Sequence, residues 1–121
     1  RGTDARPYPW GYEFSRNIAN SLTSRDPFED MGSFGSRTTP VGFYNGKIYD
    51  GYQTLDSASP YGLYDMAGNV WQWTGDIYHL QHYRFMRGGS KNAYPNNLRI
   101  WVTNDATPVL TSPAVGFRCA R

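Results

Sequence analysis

Few residues in this chain of 121 are of types that do chemistry unaided, and they are thinly spread. His79 and His82 form an H-x-x-H pair within Asp76-Ile77-Tyr78-His79-Leu80-Gln81-His82-Tyr83. On one helical turn two such imidazoles share a metal ion; in a loop they face solvent, and the solvent-facing reading is preferred here. The chain has one cysteine, Cys119. A lone thiol excludes an internal disulfide framework and a multi-cysteine zinc site within these residues. Its neighbours, Val115-Gly116-Phe117-Arg118-Cys119-Ala120-Arg121, read as the inner face of a final strand, so Cys119 is expected to be buried and structural. Basic residues are scattered and the net charge is +2. No phosphate-tracking patch emerges, and nucleic acid is not expected as a partner.

These residues must be positioned by elements of unusual composition. Aromatics make up 17% of the chain, with ten Tyr, six Phe and four Trp, which points to packing and not to a disordered tail. Thirteen Gly and eight Pro run along the whole length, so turns and short elements dominate and large rings supply much of the buried area. Arg6-Pro7-Tyr8-Pro9-Trp10-Gly11 reads as an extended segment ending in a turn. Glu13 to Ser36 reads as a long polar loop, of the kind that usually has a ligand or metal to order it. Thr39-Pro40-Val41-Gly42-Phe43-Tyr44 is expected as a short edge strand, with Asn45-Gly46 turning it into Lys47-Ile48-Tyr49 as a hairpin. After a loop from Asp50 to Pro60, the spacing of Leu63, Tyr64, Met66 and Ala67 predicts one or two helical turns closed by Gly68. Strands are expected over Asn69–Thr74, over Phe85–Ser90 running into a glycine turn, and over Val115–Arg121. Leu98–Thr103 is expected as a strand, with Asn96-Asn97 as the alternative start of a helical turn. No stretch approaches the roughly 18–20 apolar residues that span a bilayer. Compartment stays open, with an extracytoplasmic setting, periplasmic or exported, favoured.

Four segments bear a resemblance in their order and spacing. They are Tyr8-Pro9-Trp10-Gly11, then Thr39-Pro40-Val41-Gly42, then Gly62-Leu63-Tyr64-Asp65-Met66-Ala67-Gly68-Asn69-Val70-Trp71-Gln72-Trp73-Thr74, and last Arg87-Gly88-Gly89-Ser90 with Gly116-Phe117-Arg118-Cys119. Together they resemble the formylglycine-generating (sulfatase-modifying) enzyme family, whose signature reads GLYDMxGNVWEWT, RGGSW and a terminal GFRC. The resemblance implies an irregular α+β domain related to C-type lectins, with little regular secondary structure, short strands and long loops. It marks residues 1–121 as the C-terminal part of one such domain, whose preceding half ends in a tryptophan-containing helix. A missing N-terminal half of the domain, or a protein partner, is then expected to complete the core.

Residue by residue, the family's chemistry does not carry over. Its catalytic members bind copper with two cysteines after the Gly-Gly-Ser turn, and thiolate ligation lets that metal activate oxygen. Those positions are Ala93 and Leu98 here, and neither side chain can ligate a metal, so no copper is expected. The family also implies calcium sites built from loop oxygens. One would use Asn69 with Gln72, which stands where the family has Glu; the other would use Asn20 with Asp30. The bland alternative makes Asn69 a turn cap and Asp30 a solvated carboxylate. Tyr94, Asn96, Asn97, Trp101, Asn104 and Asp105 occupy the stretch where lectin-like relatives display ligand contacts. The competing reading makes Trp101 a core ring and the Asn residues turn formers, and it is the one preferred. Trp71 and Trp73 are expected to be structural. Thr103 stands where the family often has Arg, leaving Arg87, Arg99 and Arg118 to hold loop carbonyls and carboxylates internally. The resulting expectation is a non-catalytic module that is structural or binds a protein or ligand. The alternatives are a fragment of an oxidoreductase, of formylglycine-generating or sulfoxide-synthase type, and a lectin-like variable receptor of a diversity-generating system.

Overall fold

The computed structural model describes residues 4–29, 37–78 and 82–119. Short strands are set in long loops: β1 (Ile48–Tyr49), β2 (Tyr52–Gln53), β3 (Trp71–Tyr78), β4 (Tyr83–Arg87), β5 (Thr103–Ala106) and β6 (Val115–Gly116). Among the described residues the helical element is one 3-10 segment, Pro95–Leu98. This is the irregular α+β, C-type-lectin-like architecture that the resemblance implies. The larger sheet runs β5-β4-β3-β6, with β3–β4 and β4–β5 antiparallel and β6 parallel to β3. Register shifts between Trp73 and Ile77, where the Thr74 hydroxyl donates to the Phe85 carbonyl and Arg84 donates to that of Gly75. Side-chain bonds thus replace the ladder bonds that the irregularity breaks.

Several expected elements move. The hairpin β1–β2 turns on Asp50-Gly51 and not on Asn45-Gly46: Tyr49 pairs with Tyr52, and φ is positive at both loop residues, 47° and 81°. That is the type I′ pattern, which matches the twist of the flanking strands. The Asn45 side chain instead caps its own turn, its Oδ1 accepting from the Lys47 N–H. Residues 39–44 form no strand, because Pro40 accepts from Phe43 N–H across a turn with Gly42 at φ 75°. The expected helix at Leu63–Ala67 is absent as well; positive φ at Asp65 and Gly68 bends the chain away from helical geometry. β5 begins at Thr103, the last residue of the expected Leu98–Thr103 strand, and β6 stops at Gly116.

The apolar core gathers Tyr8, Ile18, Ala19, Ala67, Ala93 and Leu98, with Trp10 and Phe14 packed on it. Tyr8 and Trp10 stack at 5.3 Å, held by the turn in which Tyr8 and Gly11 exchange both backbone bonds. A second aromatic cluster forms around Phe43, which stacks on Tyr49 and meets Phe28 and Tyr44 edge-on. Beneath it Asp26 is buried, accepting from Ser24 Oγ at 2.9 Å and Tyr44 OH at 2.8 Å. Burial, followed by the charge of Asp26, drives the Tyr44 phenol pKa far upward, so Tyr44 serves as a fixed donor.

Candidate functional site

β4 ends in Arg87-Gly88-Gly89-Ser90, and this turn organises the site. Both glycines have positive φ. At Gly89 a Cβ would lie 2.6 Å from Leu98 Cδ2, 3.0 Å from the Asn97 carbonyl and 3.4 Å from Ala93 Cβ, so the missing side chain is what lets Leu98 close over the turn. Ala93 is placed by its own N–H donating to Ser90 and by its carbonyl accepting from Leu22 N–H. Ala93 and Leu98 are 6% and 0% exposed, members of one hydrophobic cluster. The two positions that carry thiols in the resemblance are therefore methyl and isobutyl groups in a packed core. A soft metal finds no donor in either side chain.

The two oxygen clusters behave differently. Asn20 and Asn69 come together: Asn20 Nδ2 donates to Asn69 Oδ1 at 3.3 Å, and the Asn69 N–H donates to the Asn20 carbonyl at 2.8 Å. Asn69 Oδ1 also accepts from Thr39 N–H at 3.0 Å, while its amide donates back to the Thr39 carbonyl. That oxygen is committed to N–H donors. Gln72 points elsewhere: its Nε2 donates to the Asp65 carbonyl at 2.6 Å and its Oε1 accepts from Arg118 Nε at 3.0 Å. A guanidinium on the amide oxygen is incompatible with a calcium ion there, so the Asn69–Gln72 set does not fit the metal. The Asn20 set fits better: Asn20 is 1% exposed and its Oδ1 is buried with no hydrogen-bond partner among the described residues. Asp30 and His79 lie outside the described residues. His82 is exposed at φ 56°. Among the described residues no group of three or more His, Cys, Asp and Glu gathers to hold a metal, and no helix is long and apolar enough to cross a membrane.

Arg118 Nη2 donates to the Tyr64 carbonyl at 2.6 Å, and Arg87 Nη1 to that of Ile100 at 3.1 Å, so both arginines hold loop carbonyls. Arg99 differs: its guanidinium lies 5.6 Å over the Trp101 ring and its buried Nε has no partner among the described residues. Trp71 and Trp73 are half-buried in β3. Trp101 is no core ring; it is 53% exposed, because the chain leaves the core after Leu98. Cys119 is likewise exposed instead of buried, since β6 ends at Gly116, before it. Tyr94, Asn96 and Asn97 are exposed around the 3-10 segment, and Asn104 and Asp105 are exposed on β5. Adjacent strand residues face opposite sides of a sheet, so Asn104 and Asp105 cannot both join one surface with the others.

Sequence reasoning missed a pocket of about 550 Å³ beside the turn, walled by Pro9, Leu63, Met66, Leu98 and Ile100, with Arg87 as the one charged lining residue among the described residues. Leu63 and Met66 looked like a helical face. The available signal was Ser59-Pro60-Tyr61-Gly62, a turn closed by Gly62 N–H donating to Ser59 at 2.9 Å.

A family model described as the sulfatase-modifying factor enzyme 1-like domain matches residues 1–121. The inactive C-alpha-formylglycine-generating enzyme 2 of Bos taurus is 30% identical, over 98% of this chain and 38% of its own length. The formylglycine-generating enzyme of Thermomonospora curvata is 28% identical, over 98% of this chain and 44% of its own. Serine/threonine-protein kinase pkn1 of Chlamydia caviae is 31% identical, over 94% of this chain and 18% of its own. The chain thus spans less than half the length of these curated relatives. With the Gly-Gly-Ser turn, the Asn69–Gln72 segment and the family match covering the whole chain, it belongs to the sulfatase-modifying factor enzyme 1-like family.

Proposed function

We propose that the chain is a non-catalytic module of this family that uses the scaffold to bind a protein or ligand, or to be built into a larger assembly. The observation that carries this reading is the pair Ala93 and Leu98, apolar and packed over Gly89 where the family's chemistry needs thiols. Similarity to proteins named inactive C-alpha-formylglycine-generating enzyme 2 supports it. The exposed Tyr94, Asn96, Asn97 and Trp101 supply the binding surface: rings give area at low entropic cost and amides give adaptable hydrogen bonds. Calcium, bound through Asn20 Oδ1 together with Asp30, is the cofactor of this reading.

The test is direct. Purified chain is incubated with cuprous ion and a cysteine-containing sulfatase peptide while dissolved oxygen and peptide mass are followed. Neither copper binding nor oxygen consumption is expected. Turnover would overturn the non-catalytic reading and favour an oxidoreductase fragment, the reading supported by similarity to relatives named formylglycine-generating enzyme.

A further inference from the structure

The pocket beside the Gly-Gly-Ser turn is built for a particular kind of occupant. Its volume, about 550 Å³, falls within the roughly 300–1,000 Å³ of small-molecule sites. Pro9, Leu63, Met66, Leu98 and Ile100 make most of its wall apolar. Tyr61 and Trp101 also line it and are 71% and 53% exposed, so each presents a ring to both pocket and solvent. The Arg99 guanidinium lies 5.6 Å over the Trp101 ring, a contact that restrains it.

Charge narrows the chemistry. Among the described residues Arg87 is the one charged residue lining the pocket, and it forms no ion pair there. A guanidinium has five N–H donors in a planar fork. One nitrogen of Arg87 is spent on the Ile100 carbonyl; the remaining donors suit a carboxylate, which such a fork binds through charge-assisted bonds.

The backbone around the pocket narrows it further, because a bound peptide would need main-chain partners. Pro9 and Pro60 have no N–H. Ser59 N–H donates to the Leu63 carbonyl, and Leu63 N–H donates to Ser59 Oγ. The Gly88 carbonyl accepts from Gly68 N–H, and Ile100 N–H donates to the Pro7 carbonyl. With these groups already paired, the wall favours an apolar body carrying a single polar head over an extended chain.

We propose that this pocket binds a small aromatic carboxylate, its ring lodged among Leu63, Met66 and Ile100 and its carboxylate on Arg87. The proposal rests on the binding-module reading and names a ligand class for it: with Leu98 in place of a thiol, the cavity beside the turn is free to hold a ligand without chemistry. The test is calorimetric titration of the 121-residue chain with 2-naphthoate and, separately, with 2-naphthamide. Saturable binding of the acid, at least tenfold tighter than the amide, is expected. Arg87→Gln should bring the ratio close to one without weakening the amide, and Arg87→Lys should keep part of the preference. Tyr61→Ala, at an exposed ring, should weaken acid and amide alike. Absence of saturable binding, or equal affinity of the intact chain for acid and amide, overturns the proposal whether or not the Arg87 variants fold. So does an acid preference that survives Arg87→Gln. The two readings fail separately, since oxygen consumption bears on the missing thiols and the acid-to-amide ratio on Arg87.

Discussion

At Asp65 a carboxylate is held in an unusual place. Its backbone is left-handed at φ 54°, one oxygen accepts from Gly42 N–H at 2.6 Å, and Gln72 donates to its main-chain carbonyl. Burial raises its pKa above the ordinary 3.8, outweighing the Gly42 bond and the Arg118 charge, which act in the opposite direction. A carboxyl whose folded pKa is raised favours folding when protonated; that contribution is complete below the unfolded pKa and is lost as pH rises through the folded value. The charged Asp65 is therefore a burden at neutral pH. Asp65→Asn keeps an oxygen for Gly42 and tolerates positive φ, so it should raise the urea midpoint at neutral pH, with the gain shrinking as pH falls towards 3.8. A variant less stable than the parent at neutral pH would show instead that attraction to Arg118 dominates. Single residues of this kind were the least legible in the sequence. Ser24 and Asp26 look like solvated loop residues, yet both are buried because Tyr44 and Phe28 N–H reach Asp26 from within. Cys119 looks like a core thiol and is exposed. Local composition does not reveal which side of a loop faces in.

At the scale of elements, legibility followed how far backbone conformation is set by neighbouring residues. The β3 and β4 strands and the glycine turn after them are local features, and they stand close to where alternation and paired glycines place them. The hairpin was harder, since Asn45-Gly46 and Asp50-Gly51 carry equivalent turn chemistry and only the pairing of Tyr49 with Tyr52 decides between them. The segment from Leu63 to Gly68 has helical spacing but is bent by long-range demand. Gly68 N–H must reach the Gly88 carbonyl, and its Cα packs so closely that a Cβ would sit 2.6 Å from the Asn20 carbonyl. Gly62 has a similar φ, 72°, with nothing within 4 Å of where its Cβ would be. The two positions separate conformational strain from steric clash. Gly62→Ala should cost about 1 kcal/mol from the left-handed backbone alone. Gly68→Ala should cost about 3 kcal/mol, because a carbonyl in the core of the loop contacts must also move. Urea denaturation of both variants measures the difference, and equal costs would mean that the Asn20 carbonyl yields freely.

For the whole molecule, loop-to-loop bonds take the place of regular structure, and they converge on residues 17–22. Leu55 N–H donates to the Asn17 carbonyl, Asn17 Nδ2 to Gln53, Asn69 N–H to the Asn20 carbonyl, Asn20 Nδ2 to Arg37 and Leu22 N–H to Ala93. One polar loop thereby ties the hairpin, the Gly68–Asn69 turn and the Ala93 turn together. This hub was visible in sequence only as a long loop that needed a reason. Asn20 Oδ1, buried and without a hydrogen-bond partner among the described residues, lies at its centre. In the proposed function that oxygen faces calcium, and a cation held there would brace every element the hub touches. A ligand bound only by the folded state stabilises it by about 2.7 kcal/mol at a hundredfold excess over Kd, which for a chain of this size is roughly 10 °C in melting temperature. Protein stripped with EDTA should therefore melt several degrees higher once calcium is restored. Magnesium should do less, because its smaller, strictly octahedral shell fits loop oxygens poorly. Asn20→Ala will lower the melting temperature in its own right by removing the Arg37 and Asn69 bonds, so the quantity to compare is the calcium-induced increment, which should vanish. An increment that persists in Asn20→Ala would place the ion elsewhere. An unchanged melting curve in the parent chain would leave the hub held by its hydrogen bonds alone, with the Asn20 oxygen a stored cost inside it.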